Sequence, residues 1–500
     1  MIAAQLPILQ VVLPLLAAPV CVLLRRGRLT WVLTVAVTWT AFAIAFLLVQ
    51  RVLAEGTISY AIGGWAPPWG IEYRVDVVNA FVLLIVAAVG AVVALAARAS
   101  VEREIAADKH HLFYGAYLLF FTGLLGITIT GDAFNIFVFL EISSLSSYVL
   151  IALGSDRRAL TAAFQYLVLG TIGATFILIG IGLVYMMTGT LNLADMAVRV
   201  AAVSETRPIL AAAGFLTAGI GLKLALFPLH LWLPNAYTYA PSVVSAFMAA
   251  TATKVSVYVL LRFMFTVFGP VFAFDRLPLA QILLPLAALA MLVGSTVAIF
   301  QTDIKRMLAY SSVAQIGYII LGVALVNVTG LTGGIVHLFN HALMKGGLFL
   351  ALACVAYRTG STSIEACRGL GRRMPLTMLA FVFGGLSVIG VPLTVGFISK
   401  WYLILGAIEK DWWPLAGLVL FSSLLAMVYI WRVIEAAYFQ PLPDGADGAT
   451  ATAPPPTEAP LSLLIPTWML IAANVYFGID TDLTAGVARR AAMLLLGVDG

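Results

Sequence analysis

Hydrophobic residues form long, nearly uninterrupted runs in this chain, and polar positions gather in the short segments between them. Runs of about 20 apolar residues match the thickness of a bilayer, and lipid offers no partners for backbone polar groups, so each run predicts a membrane-spanning helix. The pattern predicts an all-α polytopic membrane protein with about 14 transmembrane helices, near residues 5–24, 29–50, 76–97, 112–130, 133–154, 160–187, 209–230, 242–268, 279–301, 305–326, 331–357, 375–403, 412–438 and 461–479.

Composition supports this class of protein. Of the 500 residues, 62% are hydrophobic and 10% are charged, whereas a soluble domain carries about 25% charged residues. No basic stripe with interleaved aromatic residues indicates a nucleic-acid partner. The three cysteines, Cys21, Cys354 and Cys367, form no CxxC pair, which argues against an iron–sulfur cluster, a zinc ribbon or a disulfide framework. We expect no cofactor.

The distribution of Lys and Arg predicts the orientation, because basic residues concentrate in cytoplasmic loops. The loops that follow odd-numbered spans hold fourteen basic residues, and the opposite side holds eight. We therefore predict a multi-pass protein of the bacterial inner membrane with both termini in the periplasm. The N-terminus lacks a cleavable-signal pattern and is interpreted as the first span.

Two stretches of nearly equal length, 111–268 and 279–438, each hold five predicted helices. A constant repeat offset, which superposes the Met-Thr-Gly-Thr at 187–190 on the Arg-Thr-Gly-Ser at 358–361, relates the two stretches. Because five is odd, the second copy starts on the other side of the membrane, which predicts two inverted repeats of the kind found in secondary transporters. The expected division is 1–110 for helices 1–3, 111–268 and 279–438 for the repeats, 441–460 for a flexible cytoplasmic loop, and 461–500 for helix 14 and the tail.

Helices 7 and 12 are predicted to be broken inside the membrane. Pro228 interrupts helix 7, and Gly390-Val391-Pro392 interrupts helix 12. Broken helices at corresponding places in two repeats indicate an ion site, and each break lies close to a buried lysine. The alternative is an ordinary proline kink, which membrane helices tolerate.

Two segments outside the spans are distinctive. Residues 51–75 contain Trp65-Ala66-Pro67-Pro68-Trp69-Gly70, which we interpret as an ordered loop anchored at the membrane interface by its aromatic residues. Residues 441–460 combine three consecutive prolines with acidic residues and predict a disordered loop.

Several ionisable residues fall inside predicted spans. Each costs roughly 2.5–3.5 kcal/mol near the bilayer centre, so such residues usually have a function. The candidate proton-transfer and coupling residues are Glu141, Lys223, Lys254, His337, His341, Lys345 and Lys400. Glu141 and Lys223 can form an ion pair across helices 5 and 7, and a desolvated lysine can release its proton where an arginine cannot.

His337, His341 and Lys345 follow one another at intervals of four residues and therefore form one stripe on helix 11. Imidazole titrates near neutral pH and can pass a proton between its nitrogens. Two histidines at this spacing can also bind zinc, but the glutamate of HExxH is missing and Lys345 would repel a cation, so no metal is predicted. A structural role as hydrogen-bond donors stays open.

The polar residues of helix 10 are weaker candidates for the same path. Ser311, Ser312, Gln315 and Tyr318 can either bridge proton transfer or act as polar contacts between packed helices. Arg262 and Arg432 lie nearer to helix ends, where we expect them to extend toward the interface. Arg432 is also spaced to pair with Glu435.

These residues carry a resemblance to a known family. The segment Gly131–Glu141 with Ser146–Leu150 resembles helix 5 of the D-type subunit of Mrp-type monovalent cation/proton antiporters. Further matches to Mrp antiporters and to the antiporter-like subunits of respiratory complex I are Lys223–Pro234 (KLALFPLHLWLP), Thr253–Tyr258, His337–Lys345 and Gly396–Lys400. The resemblance spans about 110–405 and also includes the related subunits of membrane-bound hydrogenases.

The resemblance implies a proton path through the middle of the bilayer and other integral-membrane subunits as partners. It makes Glu141 and Lys223 the coupling pair, Lys254 the relay and Lys400 the terminal donor or acceptor. Some complex I relatives carry Glu at the position of Lys400. The chain ends soon after helix 14, so we expect neither the long lateral helix of the largest complex I relative nor the extra helices of the large Mrp subunit.

Three functions are compatible with these features. The first is a proton-translocating subunit of a monovalent cation (Na⁺ or K⁺)/proton antiporter. The second is a proton-pumping membrane subunit of an NADH:quinone oxidoreductase or membrane-bound hydrogenase; electrons would then run through partner subunits, because the chain has no GxGxxG unit and no cluster ligands. The third, a channel or scaffold, leaves the embedded ionisable residues unexplained. Whether the protein belongs to an enzyme stays open at this stage.

Overall fold

The computed structural model describes residues 2–441 and 457–498, with side chains from residue 4 onward. Most of the predicted 441–460 loop therefore lies outside the described residues. The elements are α1 (Leu6–Leu24), α2 (Gly27–Glu55), β1 (Ile58–Ala61), β2 (Glu72–Val75), α3 (Val77–Glu104), α4 (His110–Ile129), α5 (Ala133–Ala152), α6 (Arg158–Thr188), α7 (Leu193–Val203), α8 (Arg207–Leu224), α9 (Trp232–Tyr239), α10 (Ser242–Leu261), α11 (Leu279–Ile299), α12 (Ile304–Leu325), α13 (Val328–Thr359), α14 (Leu370–Arg373), α15 (Pro375–Ile389), α16 (Val395–Ile408), α17 (Trp413–Phe439), α18 (Leu461–Ile479) and α19 (Asp482–Leu496).

The predicted all-α membrane architecture is confirmed. In the described part of the chain, 13 helices are long and apolar enough to cross a membrane. The remaining predicted span is divided into two shorter apolar helices, α15 and α16, as expected for a broken helix. The seventh span is likewise divided into α8 and α9. The chain is a multi-pass membrane protein.

Hydropathy did not predict three smaller features. Strands β1 and β2 pair antiparallel within the 51–75 loop, and such short strands cannot show an alternating pattern. Trp65 and Trp69 between them are 73% and 92% exposed. Helices α7 and α19 are amphipathic, because each buries only one face, and a search for continuous apolar runs does not detect such helices.

The loops define two faces of the protein, named here after the predicted orientation. The outer face holds residues 56–76, 130–132 and 189–193, and the inner face holds 153–157, 240–241, 300–303 and 360–363. Each face is held together by backbone hydrogen bonds between loops that are distant in sequence.

A hydrogen-bonded clasp on the outer face joins the start of α5 to the end of α6. The Ala133 amide donates to the Leu191 carbonyl at 2.8 Å, and the Leu193 amide donates to the Gly131 carbonyl at 2.8 Å. Asp132 caps α5 by accepting from the Asn135 amide.

The same clasp recurs on the inner face, at the positions that the repeat offset predicts. The Ile304 amide donates to the Thr362 carbonyl at 2.8 Å, and the Ile364 amide donates to the Thr302 carbonyl at 2.9 Å. Asp303 caps α12 in the same way that Asp132 caps α5. Because equivalent clasps lie on opposite faces, the two five-helix repeats are inverted relative to each other.

The centre of the bundle is formed by α3, α10, α12 and α13, and the remaining long helices surround it. The most apolar 18-residue stretch of α13 is fully buried, whereas the corresponding stretch of α17 is only 33% buried and faces the surroundings. Small residues allow close approach: a Cβ atom at Gly322 of α12 would lie 2.7 Å from the backbone of Gly334 of α13. The ionisable stripe of α13 therefore runs through the interior.

The expectation for Arg262 was wrong, and Arg432 binds backbone carbonyls instead of the predicted partner Glu435. Arg262 does not extend toward the interface; it is buried, and its guanidinium lies 2.5 Å from the carboxylate of Asp76, which caps α3. Arg432 donates to the backbone carbonyls of Ile299 and Gln301 at the end of α11. In both places, tertiary packing brings a group from a distant segment of the chain into contact with the guanidinium.

Candidate functional site

The predicted pair of Glu141 and Lys223 is present across α5 and α8. Lys223 Nζ lies 3.8 Å from Glu141 Oε1 and donates to Ser144 Oγ at 2.7 Å. Ser144 follows Glu141 by one turn, so one face of α5 presents both groups to the ammonium. Glu141 Oε1 has no hydrogen-bond partner among the described residues, so the pair is an ion contact without a hydrogen bond.

A small cavity adjoins this pair. Its volume is about 20 Å³, which is room for about one water molecule, and Lys223, Ser144 and Tyr166 line it. The Tyr148 hydroxyl has no partner among the described residues. A Cβ atom at Gly170 would lie 2.1 Å from the Tyr148 hydroxyl and 3.6 Å from Lys223 Nζ. Gly170 therefore leaves the space in which these two groups approach each other.

Lys254 lies at the centre of the bundle on α10. Its side chain is fully buried, and its ammonium donates to the Ala249 carbonyl about one turn earlier. The cavity beside Lys223 is also lined by Val255 and Ser256, the sequence neighbours of Lys254. A single water in this cavity would therefore contact both α10 and the group formed by Lys223, Ser144 and Tyr166.

The two histidines of α13 have different surroundings. His337 Nδ1 lies 2.8 Å from Ser399 Oγ, and its Nε2 lies 3.0 Å from Gln315 Oε1. Because an amide oxygen only accepts, Nε2 donates to Gln315, and the Ser399 hydroxyl also donates to the Gly396 carbonyl at 3.4 Å. His341 is fully buried, and neither ring nitrogen has a partner among the described residues. Its ring centre lies 6.0 Å from that of His337.

Lys345 completes the stripe toward the inner face. Its ammonium donates to the Leu308 carbonyl at 2.9 Å and to Ser311 Oγ at 2.8 Å. Ser311 Oγ also lies 2.8 Å from the Tyr429 hydroxyl. Ser312 instead donates to the Leu308 carbonyl of its own helix. Of the two serines, Ser311 is thus placed as a bridge and Ser312 as a helix-packing residue.

Lys400 lies beside the break between α15 and α16. Its ammonium donates to the carbonyls of Val388 and Ile389 at 2.9 and 2.8 Å, and to Ser423 Oγ at 2.9 Å. These carbonyls belong to the last turn of α15, the negative end of the helix dipole, which favours a cation. The ammonium also lies 4.8 Å from the centre of the Tyr318 ring.

The first helix break exposes polar backbone in the interior. Helix α8 ends at Leu224, and Pro228 lies in the interval before α9 begins. The indole of Trp232 donates to the Leu222 carbonyl at 2.9 Å and so satisfies one of the carbonyls at the end of α8. Lys223 therefore stands at the C-terminal end of a half-helix.

The second break has a similar arrangement. Helix α15 ends at Ile389, Gly390 has φ 92°, and Pro392 lies before α16 begins at Val395. Asn340 of α13 donates to the Val395 carbonyl at 2.5 Å and fixes the break to the central helix. Both prolines therefore lie in true helix interruptions.

The predicted site residues carry an unbalanced set of charges. They include four buried lysines, Lys223, Lys254, Lys345 and Lys400, but one carboxylate, Glu141. Charges that are weakly screened repel strongly, so a proton on one lysine disfavours a proton on the next. A change in the protonation of one lysine can therefore alter the protonation of the next lysine in the series.

Sequence reasoning missed the partners of several predicted residues. Ser144 lies one helical turn from Glu141, a spacing that could have indicated it. Ser399 immediately precedes Lys400 but binds His337 on another helix. Ser423 of α17 and Asp76 before α3 carry no sequence signal for their roles. In the described part of the chain, no group of three or more His, Cys, Asp or Glu residues is placed to hold a metal ion.

Comparison with known proteins identifies the family. Residues 130–426 match the transmembrane family described as NADH:quinone oxidoreductase/Mrp antiporter. The chain is 43% identical over 499 residues to the NADH-quinone oxidoreductase subunit N of Desulforudis audaxviator, with 96% of each chain covered. It is 29% identical to the Na(+)/H(+) antiporter D-type subunit of Bacillus subtilis, covering 98% of this chain and 97% of the relative.

A solved structure of the Mrp complex from Dietzia sp. contains a chain that superposes with a TM-score of 0.90. The identity is 27%, and the superposition covers 99% of this chain and 98% of the other. The match extends over nearly the whole chain and therefore over both repeats. By sequence and by fold, the chain belongs to the NADH:quinone oxidoreductase/Mrp antiporter transmembrane family.

Proposed function

We propose that the protein is the proton-translocating subunit of a multi-subunit monovalent cation (Na⁺ or K⁺)/proton antiporter. The observation that carries this proposal is the series of embedded ionisable side chains from Glu141 to Lys400, which crosses both repeats and both helix breaks. Each embedded charge destabilises a membrane protein, so a series of embedded charges in one protein interior requires a function. The antiporter relatives and the Mrp-complex fold support the same function.

The proposed mechanism uses charge repulsion instead of covalent chemistry. While Lys223 is paired with Glu141, its proton is held, and the positive charge disfavours protonation of Lys254. When the pair opens, Lys223 loses the stabilising carboxylate and passes its proton through bridging water to Lys254. His341 and His337 then pass protons between Lys254, Lys345 and Lys400. Direct hydrogen bonds do not connect all these groups, so ordered water has to bridge the gaps.

The same proposal specifies the partners and the cellular location of the protein. Partners are other integral-membrane subunits, the lipid bilayer, protons and monovalent cations, with no nucleic acid. The side chain of Glu141 is 28% exposed in the isolated chain, so a neighbouring subunit at this face would complete its burial. We also propose that the inner face lies in the cytoplasm of a bacterial cell and both termini in the periplasm, which the excess of basic residues on the inner side supports.

A second candidate is the proton-pumping membrane subunit of an NADH:quinone oxidoreductase. The specific observation in its favour is the 43% identity to a relative with that name, which exceeds the 29% identity to the Bacillus subtilis antiporter subunit. The interior described above would serve either function, because both need only a chain of titratable groups. The difference lies in what drives the protons.

The test is transport by the purified complete complex in liposomes that contain a pH-sensitive dye. An antiporter moves protons when a Na⁺ or K⁺ gradient is imposed, with no reductant present. Glu141→Ala and Lys223→Ala should abolish this transport while the complex still assembles, and Lys109→Ala, at an exposed inner-face lysine, should not. Near-normal transport by well-assembled Lys223→Ala complexes would refute the proposal. Proton movement that requires NADH and a quinone would support the second candidate.

A further inference from the structure

A stripe of side chains along α10 and the π-helical turn that continues it (Arg262–Val267) leads from the central relay to the outer face. Lys254, Tyr258 and Arg262 follow one another at intervals of four residues, so they lie on the same side of the helix. The Arg262 guanidinium donates through Nε to the Tyr258 hydroxyl at 3.0 Å and lies over the Tyr258 ring. Any path from Lys254 to the outer face along α10 therefore meets Arg262.

Arg262 is paired with a carboxylate that does not belong to either repeat. Asp76 Oδ1 lies 2.5 Å from the guanidinium and also accepts from the amides of Val78 and Asn79 at the start of α3. The Asp76 amide in turn donates to the Asn79 side chain. The hydrogen bonds that cap α3 therefore hold the Asp76 carboxylate in position, and this carboxylate in turn holds the Arg262 guanidinium.

Solvent-accessible space reaches this pair from outside. A cavity of about 340 Å³ on the outer face is lined by Asp76, Tyr258 and Arg262 at its inner end. Its lining also includes Thr57 and the end of α19, where Leu494 is 51% exposed. Tyr258 and the ion pair therefore lie between this cavity and Lys254, which is fully buried and does not line the cavity.

We propose that Arg262, held by Asp76, is an electrostatic seal that prevents protons from passing directly between Lys254 and the outer solvent. An arginine stays protonated in proteins and cannot relay a proton, and a fixed guanidinium repels a proton or a cation, as it does in water-selective pores. Protonation of Asp76 would leave a buried guanidinium without its counter-charge, which is costly. This inference rests on the proposed function, because a seal matters only if Lys254 carries protons.

The seal is specific to the first repeat. At the positions related by the repeat offset, Tyr429 replaces Tyr258 and Val433 replaces Arg262. Tyr429 contacts Ser311, which binds Lys345, so this end of the second repeat has the tyrosine without the guanidinium. The two repeats therefore differ at the position where the first repeat would otherwise let protons leak to the outer face.

The experiment measures passive proton entry into liposomes that contain the complete complex, driven by an imposed pH gradient in buffers free of Na⁺ and K⁺. Arg262→Gln should raise the proton leak about tenfold above the wild-type value, equivalent to a barrier lower by about 1.4 kcal/mol. Arg262→Lys keeps the positive charge but introduces an ammonium that can release its proton, so its leak should lie between those of the wild type and Arg262→Gln. Asp76→Asn removes the counter-charge but keeps a side-chain oxygen that can accept from the guanidinium, which Tyr258 also binds, so the positive charge stays in place and the leak should stay low.

These variants distinguish an electrostatic seal at Arg262 from an ion pair that has only a structural role. If Arg262→Gln complexes assemble and leak no more than wild type, or if Asp76→Asn leaks equally, the proposal is wrong. If Arg262→Gln alone fails to assemble, the double variant Asp76→Asn/Arg262→Gln, in which two amides can hydrogen bond, carries the same expected leak. Adding Lys254→Ala to a leaking variant should abolish the leak, and persistence of the leak would show that protons bypass the relay.

The failure of this inference differs from the failure of the proposed function. If only the seal is wrong, Lys223→Ala still abolishes coupled transport while Arg262→Gln remains tight. If the function is wrong, either the wild-type complex moves no protons in response to a Na⁺ or K⁺ gradient or Lys223→Ala transports normally, whatever the leak of the arginine variants.

Discussion

The ammonium of Lys400 lies over the face of the Tyr318 ring, 4.8 Å from its centre. The same ring lies 5.6 Å from the ring of His337, so Tyr318 stands between the terminal lysine and the histidine stripe. A cation over an aromatic face is stabilised by roughly 0.5–2 kcal/mol, depending on desolvation. Tyr318 therefore favours the protonated form of Lys400 through its ring, and its hydroxyl is directed away toward the Val419 carbonyl at 3.4 Å.

This arrangement predicts different effects for two substitutions of Tyr318. Tyr318→Phe keeps the aromatic face and should retain most of the coupled transport in liposomes. Tyr318→Leu removes the face and should lower the rate several-fold, up to about tenfold for a loss of about 1.4 kcal/mol. Equal loss in both variants would instead assign the role to the hydroxyl.

The Glu141–Lys223 pair predicts an unequal effect on stability. Glu141→Gln leaves the nearly fully buried Lys223 ammonium without a counter-charge, whereas Lys223→Met leaves a carboxylate that is 28% exposed. Breaking a buried pair costs about 3–5 kcal/mol at most, and the cost is smaller for the more solvated partner. We expect Glu141→Gln to lower the melting temperature of the purified complex more than Lys223→Met.

The double variant completes this thermodynamic cycle. Glu141→Gln/Lys223→Met removes both charges and should lose less stability than the sum of the single variants. Strict additivity of the melting-temperature changes would contradict an ion pair at this position.

The two histidines predict different effects on stability and the same effect on transport. His337→Leu leaves the Gln315 side-chain oxygen without its partner, at about 1–3 kcal/mol, while Ser399 keeps its hydrogen bond to the Gly396 carbonyl. His341→Leu removes a ring without hydrogen bonds among the described residues and should leave the melting temperature unchanged or higher. Both variants should lose coupled proton transport. Normal transport by His341→Leu would remove this residue from the relay.

Gly390 at the second helix break predicts a backbone effect. Its φ of 92° disfavours any side chain, and a Cβ atom there would lie 2.9 Å from Lys400 Cδ. Gly390→Ala should therefore cost roughly 1–2 kcal/mol for the left-handed backbone alone and should also displace Lys400. Gly417→Ala is the matched control, because its Cβ would meet no atom within 4 Å and alanine favours the interior of α17. Similar melting temperatures for both variants would contradict the strain.

Much of this protein was predictable from its sequence, because a lipid environment leaves few choices. Apolar runs had to form helices, prolines near buried lysines marked both helix breaks, and the constant offset between similar motifs indicated the inverted repeats. The cost of embedding Glu141, Lys223 and Lys254 in apolar runs made them candidates without any structural information. These inferences depend on local composition and on spacing along one helix.

Pairing between distant segments was decided only by the tertiary structure. Arg262 and Arg432 have similar positions near helix ends, yet one meets the carboxylate of Asp76 and the other meets backbone carbonyls. Ser423 binds Lys400 from a helix that gives no sequence signal. His337 and His341 share one stripe, but among the described residues only the ring of His337 finds hydrogen-bond partners. Periodicity determines which face of a helix a side chain occupies, whereas the group opposite that face depends on how all the helices pack together.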